Sequence, residues 1–305
     1  MRLTVALPFA FSLLAPFVRA GGPETGSLLV FPEFDNRTGQ RTYLTLTNVD
    51  ASRSVRVHLY LVNASNCLAS NRTVTLTPRD TYTAVTSSLA ASGQRGYVYA
   101  FAESTTTGRA IDFDWLAGSS LRVDGTEATD YTIQPFVYRG LTGDGSNTDL
   151  DNDFKPDLDG AEYERSPNRI CVPRFFGQAS SAGTNTFVSD LVLFQPLAAS
   201  GVTTTVGYLV FNDNEQVFSA QSTFTCWSRR RLLSISGVFA DSFLKSTPHA
   251  ATEVVGQPLL ESGWFEVDGI VATGPGSQSK GNPPILGVMI DLRPNSGADL
   301  PFLVR

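Results

Sequence analysis

Side chains in this sequence change character at every second residue, again and again, and hardly anywhere at every third or fourth. That period belongs to β-strands, whose successive side chains point to opposite faces of a sheet. Residues 41–48 put Thr42, Leu44, Leu46 and Asn48 on one side and Tyr43, Thr45 and Thr47 on the other, with Leu44 and Leu46 facing a core. Residues 54–62 repeat the pattern with Val55, Val57, Leu59 and Leu61 inward. With further short runs around Val74, Tyr82, Tyr97 and Ile111, and an opening run at Leu28 to Phe31, the first part holds about seven strands between Gly, Asn, Pro and Ser turns, the number expected of an immunoglobulin-like sandwich.

The second part echoes the first. Residues 73–85 lie without gaps on 223–235, 58–63 answer to 207–212, Gly96-Tyr97 to Gly263-Trp264, and 110–114 to 287–291. The expected fold class is therefore all-β, with two immunoglobulin-like or fibronectin-like β-sandwich domains in tandem. The division is 1–20 export signal, 21–123 first sandwich, 124–184 connecting segment with an acidic Asp-rich loop, and 185–305 second sandwich. Strand-like runs at 131–138 and 169–176 flank the acidic centre and are expected at a sheet edge or at the seam. A short helix is expected near Asp241 to Leu244.

Residues 1–20 have a positive Arg2, an apolar stretch from Leu3 to Val18 and a small-residue cleavage site ending at Ala20, the parts of a cleaved secretory signal. No later stretch reaches the roughly 20 apolar residues of a spanning helix. The mature chain is expected free in a periplasm or outside the cell. Removing the signal with Arg2 and Arg19 takes the net charge from −6 to −8, which disfavours nucleic acid and anionic membrane as partners. An oxidising compartment lets Cys67, Cys171 and Cys226 form one disulfide. Cys171 and Cys226 sit in strand-like runs and Cys67 in a polar turn, so Cys171 with Cys226 is the expected pair.

The sharpest local feature is the run from Asp149 to Glu162. Its alternating carboxylates Asp149, Asp151, Asp153, Asp157 and Asp159 are candidate metal ligands, because oxygen donors on a turning loop converge on a hard cation such as Ca²⁺. The run resembles the thrombospondin type 3 repeat, in which such aspartates bind calcium. It departs in having a single copy, and in Phe154 standing where those loops place the glycine of a sharp turn. A solvated acidic loop is the competing reading.

Catalytic signals are poor. His58 lies on the outward side of a strand, where a structural role is expected, and His249 has no ligand-type neighbour at metal spacing. Ser242-Phe-Leu-Lys245 and Ser277-Gln-Ser-Lys280 match Ser-x-x-Lys without its partner motifs. Asp112 and Asp114 share one strand face, as a glycosidase pair does, or as the wet side of any strand. Arg229, Arg230 and Arg231 read as a strand edge protected by charge, and Trp115, Trp227 and Trp264 as core aromatics.

The strings Phe211-Asn-Asp-Asn-Glu215, Phe224-Thr-Cys-Trp227, Ser262-Gly-Trp-Phe-Glu-Val-Asp-Gly269, Ala298-Asp-Leu-Pro-Phe302 and Leu158-Asp-Gly-Ala-Glu-Tyr163 resemble a group of uncharacterised secreted bacterial proteins with tandem immunoglobulin-like domains. That resemblance implies export and carries no activity across. The expectation is a structural, adhesive or surface-interaction protein, not an enzyme, whose partner is a protein or glycan at the cell surface. A glycan-binding module, calcium-dependent or not, and a secreted hydrolase are the alternatives.

Overall fold

The structure is a computed structural model that describes residues 24–178, 188–212, 216–244, 262–293, 296–300 and 303–304. The export signal at 1–20 and His249 lie outside the described residues. The first half contributes β1 (Leu28–Asp35), β2 (Gln40–Asn48), β3 (Val55–Asn63), β4 (Ala69–Leu76), β5 (Thr81–Val85), β6 (Arg95–Glu103), β7 (Leu116–Asp124), β8 (Thr129–Ile133) and β9 (Phe136–Tyr138). The second contributes β10 (Arg169–Phe176), β11 (Val188–Phe194), β12 (Thr203–Asn212), β13 (Val217–Thr225), β14 (Trp227–Arg231), β15 (Ser262–Thr273), β16 (Ser279–Gly281), β17 (Leu286–Arg293), β18 (Ser296–Leu300) and β19 (Leu303–Val304). A one-turn helix stands at Asp241–Leu244, where the sequence places it.

These strands form four sheets in the orders β5-β2-β7-β8, β4-β3-β6-β1-β9, β14-β11-β17-β18 and β13-β12-β15-β10-β19, with β16 added to β15. The strand order of the second half repeats that of the first. Even a bulge recurs: the register of β1 on β6 shifts between Phe31 and Phe34, and that of β10 on β15 between Val172 and Phe175. Pro32 and Pro173 occupy the two bulges, where a residue without an N–H costs the ladder least. Two of the sequence matches do not follow the strands. Residues 287–291 lie in β17, whose positional counterpart is β7, whereas 110–114 form a connection held by isolated bridges. The gapless match of 73–85 to 223–235 fails after Cys226, because β14 begins directly beyond it while a proline turn separates β4 from β5.

The sheets are arranged as a four-blade β-propeller, which overturns the expectation of two tandem immunoglobulin-like sandwiches. The reason is visible in β1, every residue of which is buried, and in β6, which is buried from Gly96 to Glu103. In a tandem of sandwiches each sheet keeps a wet outer face. Here Leu29 and Phe31 pack toward Leu44 and Leu46 of the first blade, and Leu28, Val30, Tyr97 and Tyr99 pack toward Val192, Phe194 and Trp227 of the third. A further cluster joins Leu191, Leu193 and Met289 of the third blade to Val172, Val206 and Phe265 of the fourth. β8 and β9, from the expected connecting segment, complete the first and second blades, and β10 lies inside the fourth.

Two features lock the halves together. The disulfide joins Cys67 to Cys226, 159 residues apart, which corrects the expected Cys171–Cys226 pair. Both partners sit in tight turns at left-handed φ, 59° and 60°, and those turns meet across the halves. Cys171 is instead buried in β10, paired in register with Glu266 and Leu303. The second lock is a buried charge network. Arg229 of β14 donates to Glu33 at 2.8 Å, to Asp190 at 2.7 Å and to the Tyr131 hydroxyl at 2.6 Å. Arg122 reaches Glu33 at 3.2 Å, Asp35 at 3.0 Å and the same hydroxyl at 2.6 Å. Burial pushes the Asp35 carboxyl up, but the hydrogen bonds of Arg37 and the charge of Arg122 outweigh it and hold it below the usual carboxylate value. The indole N–H of Trp227 donates to the Pro32 carbonyl at 2.8 Å, and Arg95 lies over its ring. β14 is an edge strand, as expected, but Arg229 is turned into the junction of the halves and largely covered there.

Candidate metal centre and the cleft beside it

The acidic run connects β9 to β10 and turns on itself through residues that leave the right-handed region. Asn152 and Phe154 have φ of 64° and Gly160 of 91°. Phe154 thus makes a left-handed turn itself, where the sequence comparison called for glycine. Side chains of the run fold back onto the next backbone amides: Asp151 accepts from the Asp153 N–H, Asp153 from that of Lys155 and Asp159 from that of Ala161. These short-range bonds replace a regular ladder.

Two overlapping groups of carboxylates result. Asp149, Asp151 and Asp153 bring one oxygen each within 4.8 Å of one another, and Asp151, Asp157 and Glu162 do the same. Oxygens at calcium distance, 2.3–2.6 Å, lie up to about 5 Å apart around one ion, so each group fits within a single calcium shell. Four of the five expected ligands are brought together, and Asp159 stands outside both groups. Glu162 takes a place that the alternating aspartates did not suggest. The signal was the count: Asp151 to Glu162 spans twelve residues, with acids at the first, third, ninth and twelfth positions as in an EF-hand loop, though the fifth ligand position is Lys155. By that count the sixth position, the glycine of such loops, is Pro156 and not Phe154.

The two buried members differ in how they are held. Glu162, 3 % exposed, accepts from the amides of Leu150 at 2.6 Å and Asp157 at 2.9 Å. Burial first, and the charges of Asp157 and Asp151 after it, push its carboxyl up. Asp157 is raised as well, by burial and by Asp151, Asp153 and Asp159. Asp149, 1 % exposed, has no hydrogen-bond partner for either carboxylate oxygen. A carboxylate removed from water without a partner is costly, and the nearest other groups here are like charges.

Other candidate residues are used structurally. Asp112 and Asp114 lie off the strands, where Asp112 accepts from the Gly143 amide at 2.8 Å and Asp114 from Ser27 at 2.7 Å and the Gly140 amide at 3.1 Å. The three tryptophans part company: Trp227 is buried, Trp115 is exposed, and Trp264 stacks on Phe211 with centroids 4.1 Å apart. Beside the acidic loop, Phe154 overhangs the outer end of β3 and β6, where a cleft of about 330 Å³ opens. Its floor carries His58, which the sequence places outward and the structure leaves half-buried.

Comparison with known protein families, with curated proteins and with solved structures finds no match in any of the three. Among the described residues no helix is long and apolar enough to cross a membrane.

Proposed function

We propose that this chain is an exported, non-catalytic interaction protein whose acidic loop is set by a calcium ion. The observation that carries the reading is Asp149, a buried carboxylate with two unpartnered oxygens, within reach of Asp151 and Asp153. A cation supplies the missing partner and turns the repulsion among the acids into binding energy. Oxygen-only donors on a flexible loop suit calcium; nitrogen or sulfur ligands, which transition metals prefer, are absent from both groups. Magnesium demands near-ideal octahedral geometry and gives up its waters reluctantly, which a flexible loop of carboxylates serves less well. Export accords with the Cys67–Cys226 bridge, since such bonds persist in oxidising compartments. The partner class is a protein or glycan at a cell surface, and the acidic surface disfavours nucleic acid.

Calorimetric titration of chelator-treated protein with CaCl₂ and with MgCl₂, alongside thermal unfolding, tests the reading. Calcium is expected to bind with a Kd of about 10⁻⁵ to 10⁻³ M and to raise Tm, with magnesium at least about tenfold weaker. No heat and no change in Tm at about 10 mM calcium, well above the range for extracellular calcium modules, would reject it.

A further inference from the structure

The cleft under Phe154 has a chemistry of its own. On its floor Tyr60 lies between His58, with centroids 4.4 Å away, and Tyr99, 4.8 Å away and nearly parallel, and Phe101 continues the stack. Tyr99 and Phe101 are buried, so the aromatic surface open to the cleft is that of Tyr60 and Phe154, and such surface packs against the C–H face of a ligand ring. The polar groups are already balanced among themselves. Glu103 accepts from Arg56 at 2.8 Å through one oxygen and faces the His58 Nδ1 at 2.6 Å through the other. Gly108, at φ +71°, leaves the space that the Arg56 guanidinium occupies: a Cβ there would lie 2.4 Å from its Nη2. One positive and one negative charge cancel, so the cleft has no unmet demand for an ion.

One group remains unanswered. The Nε2 of His58 is buried and has no hydrogen-bond partner. With Nδ1 donating to Glu103, neutral imidazole presents a lone pair there, and the imidazolium presents an N–H. A hydroxyl satisfies either form, because it both donates and accepts. A carboxylate or an ammonium satisfies only one. The volume, about 330 Å³, falls at the small end of ligand pockets.

We infer that this cleft is a subsite for one neutral saccharide ring, packed against Tyr60 and Phe154 and hydrogen-bonded through a ring hydroxyl to His58. The inference deepens the proposed function and rests on it in one respect. Phe154, the overhanging residue, lies between Asp153 and Asp157 and is held from outside by Arg109, whose guanidinium is over its ring. Arg109 also hydrogen-bonds Asn152. A cation that fixes the loop therefore fixes the position of Phe154 over the bound ring.

The test is saturation-transfer NMR on the mature protein with the methyl pyranosides of glucose, galactose and mannose, with glucose 6-phosphate and glucosamine as charged controls, in calcium and in EDTA. At least one neutral glycoside is expected to receive saturation, with a millimolar Kd and a clear preference over the charged sugars. Thr73→Trp fills the cleft from its exposed rim and is expected to weaken that binding at least about tenfold, with the calcium heat unchanged. Phe154→Ala, a change at an exposed side chain, is expected to weaken it about three- to tenfold. Transfer in calcium that vanishes in EDTA supports both the subsite and its coupling to the loop. Transfer equal in calcium and EDTA supports the subsite and overturns the coupling. No transfer to any neutral glycoside from protein that still binds calcium, or transfer that Thr73→Trp leaves unchanged, overturns the subsite and leaves the calcium reading standing.

Discussion

Carboxylates crowd together in two places in this molecule, and the chain treats them in opposite ways. At the junction of the halves Glu33, Asp35 and Asp190 are met by Arg122 and Arg229, and a tyrosine hydroxyl ties the two guanidiniums together. In the loop after β9, Asp149, Asp151, Asp153, Asp157 and Glu162 gather in two overlapping groups, joined by an ion pair from exposed Lys155, 3.7 Å from Asp153. The first region meets its acids with arginines of the same chain, though Asp190 Oδ1 and Arg122 Nε keep no hydrogen-bond partner, while in the proposed reading the second is met by a cation from solution. Burial alone therefore does not separate a structural acid from a binding one; the supply of opposite charge does.

The largest effect is expected at the arginine-paired region. Arg229→Ala leaves Asp190 without its arginine and Glu33 with Arg122 alone, and should cost about 3–5 kcal/mol in urea unfolding. A loss below about 1 kcal/mol would mean that the junction is not a paired network at all. Acid should act in the same direction. Because the Asp35 carboxyl is held below the usual carboxylate value, its contribution is fully present above that value and is lost as pH falls through the lower folded-state value. Trp227, hydrogen-bonded to Pro32, reports the loss by its fluorescence.

Removing the staple comes next. Cys67→Ser with Cys226→Ser should cost about 2–5 kcal/mol, toward the upper end because the closed loop is long. A smaller change is expected in the acidic loop, and with the reverse sign. Asp149→Asn should stabilise chelator-treated protein by about 1 kcal/mol, since it removes an unpartnered buried charge, and should abolish the rise in Tm with calcium. If the variant is destabilised in EDTA to the extent of Arg229→Ala, the two regions are alike and the contrast fails. Smallest of all, Asp159→Asn should stay within about 0.5 kcal/mol and change calcium affinity less than about threefold, because Asp159 lies outside both carboxylate groups.

What could be read from the sequence divides along the same physical line. Alternation in β2 and β3 identifies Leu44, Leu46, Val55, Val57, Leu59 and Leu61, and all six are buried in one cluster. Alternation names the inward face of a strand but not the sheet that covers it, so the blade arrangement was out of reach. In β1 the pattern is absent because both faces are covered. The run of acids was visible as a run, since its members are neighbours in sequence. Arg229 was read as an exposed edge because its partner Glu33 lies 196 residues away, and local context holds no trace of it. Cys67 was set aside for lying in a turn, yet turns are where the two halves touch.

The span of the Cys67–Cys226 bridge bears on how the chain matures. Synthesis delivers Cys67 first and Cys171 second, so the first thiol that Cys67 meets is the wrong one. Both strands that cover Cys171, β15 and β19, follow Cys226 in the chain, so its concealment comes after all three thiols have emerged, and the native link is selected when the fold closes and not by the order of synthesis.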